Sequence, residues 1–233
     1  MLKVLLISSL SVILLQCDKK NVQQQTATPP NASSAKKYLA LGDSYTIGQS
    51  VPETDRFPLQ TKKWLVDQGI TMNEPIIIAT TGWTTTDLQN AITAQNPTGP
   101  YDIVSLLIGV NDQYRWHDTT GYRERFLQLL NRSIQLAGSL RNRVFVLSIP
   151  DYSVTPFGQN LDTALIRRQI DQFNAINREV TLQSNCQYLD ITPSTRDAIN
   201  DPSLIAGDGL HPSAKEYKKW ADRLGPLMKS VLQ

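Results

Sequence analysis

The sequence predicts a doubly wound α/β domain, in which a parallel sheet of about five strands is covered by helices on both faces. Three observations point there. Five short apolar runs recur along the chain, and most are continuously apolar rather than alternating, as strands buried on both faces are. The segments between them carry apolar residues at helical spacing. The composition, 233 residues with 40% hydrophobic and 19% charged, suits one domain with a full-sized core and shows neither a repeat nor a fibrous bias.

The expected strands are YLALGD (Tyr38 to Asp43), PIIIAT (Pro75 to Thr80), DIVSLLIG (Asp102 to Gly109), RVFVLSIP (Arg143 to Pro150) and CQYLDI (Cys186 to Ile191). A first helix is expected over Pro58 to Gln68, with proline near its start and Gly69 just past its end. Thr86 to Gln95 puts Leu88, Ala91 and Ile92 on one face, and Gly121 to Ala137 repeats Tyr122, Phe126, Leu129, Leu130 and Ile134 at helical spacing. Ile166, Ile170, Phe173 and Val180 mark another helix. A last one is expected from Pro212, with Tyr217, Trp220, Ala221 and Leu224 inward and a break or kink at Gly225 and Pro226.

Ahead of the domain, residues 1–17 read MLKVLLISSLSVILLQC: one lysine, an apolar stretch from Val4 to Leu15, then Cys17. That stretch is too short to span a bilayer and has the shape of a secretory signal. Its end resembles the lipobox of bacterial lipoproteins, although Gln16 stands where a small residue is usual. The resemblance implies lipid on Cys17 and an exported, membrane-anchored protein of the bacterial cell envelope, plain secretion being the alternative. Residues 18–37 are polar and lack an apolar period, so a disordered tether is expected before a domain over 38–233.

Charge and cysteine content narrow the function. Lys and Arg number 23 against 21 acidic residues, a net charge of +2 without the basic footprint that nucleic-acid binding needs. Of two cysteines, Cys17 and Cys186, the second opens an apolar run and is expected to act as a small buried group. No Cys or His spacing suits a metal and no glycine-rich loop suits a nucleotide, so no cofactor is expected.

In a doubly wound sheet, ligands bind at the carboxyl ends of the strands. Loops there carry the chemistry-bearing residues: Asp43 and Ser44 after the first strand, Gly82 after the second, Asn111 and Asp112 after the third, and Asp208 and His211 after the fifth. Taken singly, Ser44 and Asn111 could cap helices and Asp208 with Gly209 could form a turn. Together they supply what acyl transfer requires: a nucleophile (Ser44), a base (His211, one of two histidines), a carboxylate three residues before it (Asp208), and donors for an oxyanion in the amides of Ser44 and Gly82 and the side chain of Asn111. Pro212 as a helix start would put His211 at a helix N-terminus, where the dipole favours a neutral ring. Asp43 and Asp112 are read as holding their loops through backbone amides. Trp83, Tyr114, Arg115 and Trp116, with the PDYSVTPFG segment, are candidates for pocket walls; His117 is read as a surface residue.

GDSY, the glycine at Gly82, GVND and DGLHP, in that order, resemble the four signature blocks of the SGNH, or GDSL-type, hydrolases. The resemblance implies a flavodoxin-like fold and a serine esterase acting on a lipid, thioester or acylated-sugar substrate. It makes Ser44 the nucleophile, Gly82 and Asn111 oxyanion donors, and His211 the base with Asp208 behind it. Tyr45 departs from the leucine of the family name. Two other readings remain open, a non-catalytic ligand-binding surface lipoprotein on the same fold and a cofactor binder with GDSYT around a phosphate.

Overall fold

The computed structural model describes residues 35–233. The readings made for residues 1–17, Cys17 included, and for nearly all of the 18–37 tether lie outside the described residues. Lys36 and Lys37, the last two residues of that expected tether, are already paired. Lys36 bridges Met72, its amide donating to the carbonyl of Thr71 at 2.8 Å, and the Lys37 amide donates to Asp102 Oδ2 at 2.9 Å.

Five parallel strands form one sheet: β1 (Tyr38–Gly42), β2 (Ile76–Ala79), β3 (Ile103–Leu107), β4 (Val144–Leu147) and β5 (Gln187–Leu189), in the order β2-β1-β3-β4-β5. Each is shorter than the apolar run that predicted it: β2 to β5 begin one residue later, and at the carboxyl ends the flanking residues turn into the loops of the site. The central strands β1, β3 and β4 are buried along their whole length, as two covered faces require. The edge strand β2 is buried only at its carboxyl end, and Ile76 is half exposed.

Among the described residues eight α-helices pack around the sheet: α1 (Ser44–Ile47), α2 (Phe57–Asp67), α3 (Thr85–Gln95), α4 (Val110–Trp116), α5 (Tyr122–Leu136), α6 (Thr163–Gln183), α7 (Thr192–Arg196) and α8 (Ala214–Leu232). The short helices α1, α4 and α7 lie beyond what the sequence pattern predicts, since a helix of one or two turns is too brief for periodicity to reveal. Two of the three carry site residues.

The last helix departs from expectation at both ends. It begins at Ala214 with Ser213 as N-cap, not at Pro212, and it continues through Gly225 and Pro226 to Leu232. Proline costs one intrahelical hydrogen bond, but the buried stripe Tyr217, Trp220, Leu224 and Met228 extends to both sides of it, and that packing holds the helix together. Gly225 permits the close approach of α2, for a Cβ there would collide with the ring of Trp64. Phe57 on α2 meets Tyr217 and Trp220 with ring centroids 6.4 and 5.9 Å apart.

Register brings the strand ends level. Gly42 lies opposite both Ala79 of β2 and Leu107 of β3, so the loops following these three strands emerge side by side. The chain switches direction across the sheet between β1 and β3, where such folds leave a crevice.

Candidate active site

The loop after β1 turns sharply into α1. Asp43 is the N-cap, its Oδ1 accepting from the Tyr45 amide at 3.0 Å, so Ser44 is the first helical residue and not the cap. Gly42 is required here because a Cβ would collide with Thr46 and with the carbonyl of Leu107. Asp43 is fully buried and its Oδ2 has no partner among the described residues. Burial pushes its pKa up to about 8, the nearby Asp112 adds to the rise, and the hydrogen bond from the Tyr45 amide opposes it.

The loop after β2 is gripped by α4. Asn111 Nδ2 donates to the carbonyl of Trp83 at 3.0 Å, and Arg115 donates to the carbonyl of Gly82 at 2.7 Å. Between them, the buried carboxylate of Asp112 accepts from the Thr85 amide at 2.8 Å and from the Thr85 hydroxyl at 2.6 Å. Gly82 itself is held at φ +81°, a backbone conformation that favours glycine. With its carbonyl anchored outward on Arg115, and with Asn111 using one amide hydrogen on Trp83, the Gly82 N–H and the second Asn111 hydrogen are left for a ligand.

Asp208 and His211 lie after β5 in a turn closed by an antiparallel bridge between Ile205 and Pro212. His211 Nδ1 and Asp208 Oδ2 are 2.7 Å apart. The same Oδ2 accepts from the Ser50 hydroxyl at 2.7 Å, and Oδ1 accepts from the amides of Leu210 at 2.9 Å and His211 at 3.0 Å. Partial burial works against the Asp208 charge, but the hydrogen bonds outweigh it and hold the carboxyl well below the usual carboxylate range. The expectation that a helix N-terminus acts on His211 is corrected. With Ser213 as the cap, His211 lies two residues ahead of the cap and not at the first helical position. Its orientation comes from the pairing with Asp208 instead, and its ring packs on Tyr45 with centroids 5.1 Å apart.

Ser44, Gly82, Asn111 and His211 line one open cavity of about 170 Å³, together with Tyr45, Val110, Tyr114, Tyr152, Phe157 and Leu210. Asp208 stands behind His211, outside the lining. The Ser44 hydroxyl and the His211 ring face the same space without a hydrogen bond between them, a contact that apo sites often leave loose. Of the predicted wall residues, Tyr114 and two aromatics of the PDYSVTPFG segment, Tyr152 and Phe157, reach the cavity. Trp116 instead lies under the guanidinium of Arg125, 4.9 Å from its carbon, and Trp83 packs against the core.

Two contributors escape a reading of the sequence. Ser50, at φ +67°, feeds Asp208 from a position 158 residues away, and Arg115, expected as a wall, serves as a clamp on Gly82.

An acetylxylan esterase from Geobacillus stearothermophilus is 27% identical over 128 residues, a match that spans 52% of this chain and about half, 55%, of that protein. The crystal structure of a lipase/acylhydrolase from Enterococcus faecalis superimposes with a TM-score of 0.65 at 20% identity, covering 84% of this chain and 96% of that one. The structure of a tryptophan-to-isoleucine variant of Axe2, an acetyl xylan esterase from Geobacillus stearothermophilus, gives a TM-score of 0.59 at 20% identity, with 83% and 94% covered. Both structures share the fold. Residues 40–219, including every loop of the cavity, match the GDSL-like Lipase/Acylhydrolase family, and the chain belongs to that family.

Proposed function

We propose that the protein hydrolyses carboxylic esters of small acyl groups through an acyl-serine intermediate. The observation that carries this reading is the 2.7 Å pairing of His211 with Asp208 at the rim of the cavity that also holds Ser44, Gly82 and Asn111. His211 accepts the Ser44 proton as Oγ attacks the ester carbonyl carbon. The Asp208 carboxylate, ionised across the neutral range, keeps the Nδ1 proton on its own side, so Nε2 is free to act as base. The amides of Ser44 and Gly82 and the Asn111 side chain stabilise the developing oxyanion. The protonated imidazole then gives its proton to the leaving alkoxide. A water enters, loses a proton to His211 and attacks the acyl-serine, releasing the acid and restoring the hydroxyl.

The cavity volume supports a short acyl group, and membership of the family supports esters as the class. An acetylated carbohydrate fits both and is in keeping with what the two named Geobacillus proteins are called. The N-terminal sequence supports an exported protein carrying lipid on Cys17, which would hold the esterase at a membrane surface.

The test is a Ser44→Ala variant assayed on p-nitrophenyl acetate beside the wild type, with both exposed to a fluorophosphonate that labels activated serines. Turnover and labelling should both disappear while circular dichroism is unchanged, and His211→Ala should lose several orders of magnitude in kcat. Wild-type turnover in the Ser44 variant would sink the proposal.

A further inference from the structure

A second cavity of about 350 Å³ lies beside the first and shares two of its walls, Tyr114 and Tyr152. We infer that Tyr114 is the partition that keeps the acyl pocket short, shutting off a space behind it that would otherwise take the tail of a longer acyl chain. This rests on the reading of Ser44 as an acyl-accepting serine.

The two shared walls are held very differently. Tyr152 is 3% exposed and fixed by a chain of hydrogen bonds. Its hydroxyl donates to Gln113 Oε1 at 2.9 Å, Gln113 Nε2 donates to Gln169 Oε1 at 2.8 Å, and Gln169 Nε2 donates to the carbonyl of His117 at 2.6 Å. Tyr114 is 45% exposed, and its hydroxyl has no hydrogen-bond partner among the described residues. Packing alone holds it, against Tyr152 and Phe157 with ring centroids 6.1 Å away in each case. It stands three residues after Asn111 on α4, hence on the same helix face, so the helix that supplies the oxyanion amide also carries the partition.

The lining of the second cavity favours hydrocarbon over a polar group. Gln169 uses both ends of its amide on protein partners, and Asp162 caps α6 by accepting from the Leu165 amide at 2.9 Å. What remains to meet a ligand is the two tyrosine rings, Leu161, Leu165 and Ile166, with the His117 ring and the second Asp162 oxygen as the polar remainder. The ester's own geometry points the same way. Its leaving oxygen must lie by His211, which lines the first cavity and not the second, so the acyl chain is the part free to extend past Tyr114.

The experiment compares kcat/KM for p-nitrophenyl octanoate and acetate in the wild type, in Tyr114→Ala, and in Tyr114→Ala combined with Leu165→Trp, which refills the space. Removing the partition should raise the octanoate-to-acetate ratio by about tenfold or more, given what each newly buried methylene contributes, and Leu165→Trp should return the ratio toward that of the wild type. An unchanged ratio in Tyr114→Ala overturns the partition, as does loss of turnover on both esters. A gain that Leu165→Trp does not reverse overturns the second cavity as the destination. Failure of the esterase reading would show separately, as wild-type acetate turnover that survives Ser44→Ala.

Discussion

Arg115 donates to the carbonyl oxygen of Gly82 across 2.7 Å, while Asn111, one helical turn earlier, donates to the carbonyl of Trp83. The loop that presents the Gly82 amide is therefore held by α4 as well as by its own turn, which the Trp83 amide closes on the Thr80 carbonyl at 3.2 Å. Arg115→Ala should let the amide drift and lower kcat on p-nitrophenyl acetate by about tenfold with little change in KM, since an oxyanion donor acts on the transition state. Arg115→Lys should recover part of the loss. A change confined to KM would show that Arg115 only shapes the entrance.

Ser50 and His211 share one oxygen of Asp208. Ser50→Ala removes a hydrogen bond to a charged acceptor and should reduce kcat by several-fold, less than Asp208→Ala does, because three donors to the carboxylate remain. An equal loss in the two variants would mean that Ser50 carries the whole orientation of the pair.

Asp43 gives the protein a pH-dependent stability. Its folded pKa of about 8 lies above the ordinary value of 3.8, so between these values the folded chain binds a proton that the unfolded chain has lost. The contribution is fully present below about pH 4 and falls as pH rises toward 8, at up to about 1.4 kcal/mol per pH unit. Asp43→Asn keeps an oxygen for the Tyr45 amide and removes the titration. Urea midpoints should decline less from pH 5 to pH 8 in the variant than in the wild type; parallel declines would refute the assignment.

Gly109 holds φ +122°, and a Cβ there would run into the Tyr122 hydroxyl. Gly109→Ala should cost about 3 kcal/mol through strain and collision together, seen as a fall in Tm of about 10 °C. Adding Tyr122→Phe should recover only part of the loss, because the ring carbon Cζ would still stand 2.9 Å from the new Cβ and the hydroxyl's hydrogen bond to Asn177 at 2.8 Å is given up.

Lipidation at Cys17 is expected to appear as palmitate labelling in a bacterial host expressing the native N-terminus, absent in Cys17→Ser. Unlabelled protein released into the medium would replace anchoring with secretion and leave the chemistry at Ser44 untouched.

The strands and the loops after them are legible because three of the five apolar runs end at or beside a residue that strands avoid: Gly42 before Asp43 and Ser44, Gly109 before Asn111, and Pro150. What escapes depends on contacts between distant positions. Nothing around Ser50 signals a partner 158 residues on, and nothing around Arg115 signals Gly82, 33 residues back. The expected helix start at Pro212, and a break rather than a kink at Gly225 and Pro226, fail for a related reason. Local breaker chemistry suggests both, whereas the Ser213 cap and the buried stripe of α8 against α2 decide the outcome.

The division of the site along the chain has a consequence for biosynthesis. Ser44, Gly82 and Asn111 belong to the first three strand-end loops, while Asp208 and His211 come after the last strand, directly ahead of α8. With roughly 170 residues separating Ser44 from His211, translation at about 5–20 residues per second leaves an interval on the order of ten to thirty seconds. On the proposed reading of these residues, the growing polypeptide would carry a serine without its base throughout that interval, and turnover would be the last property the molecule acquires.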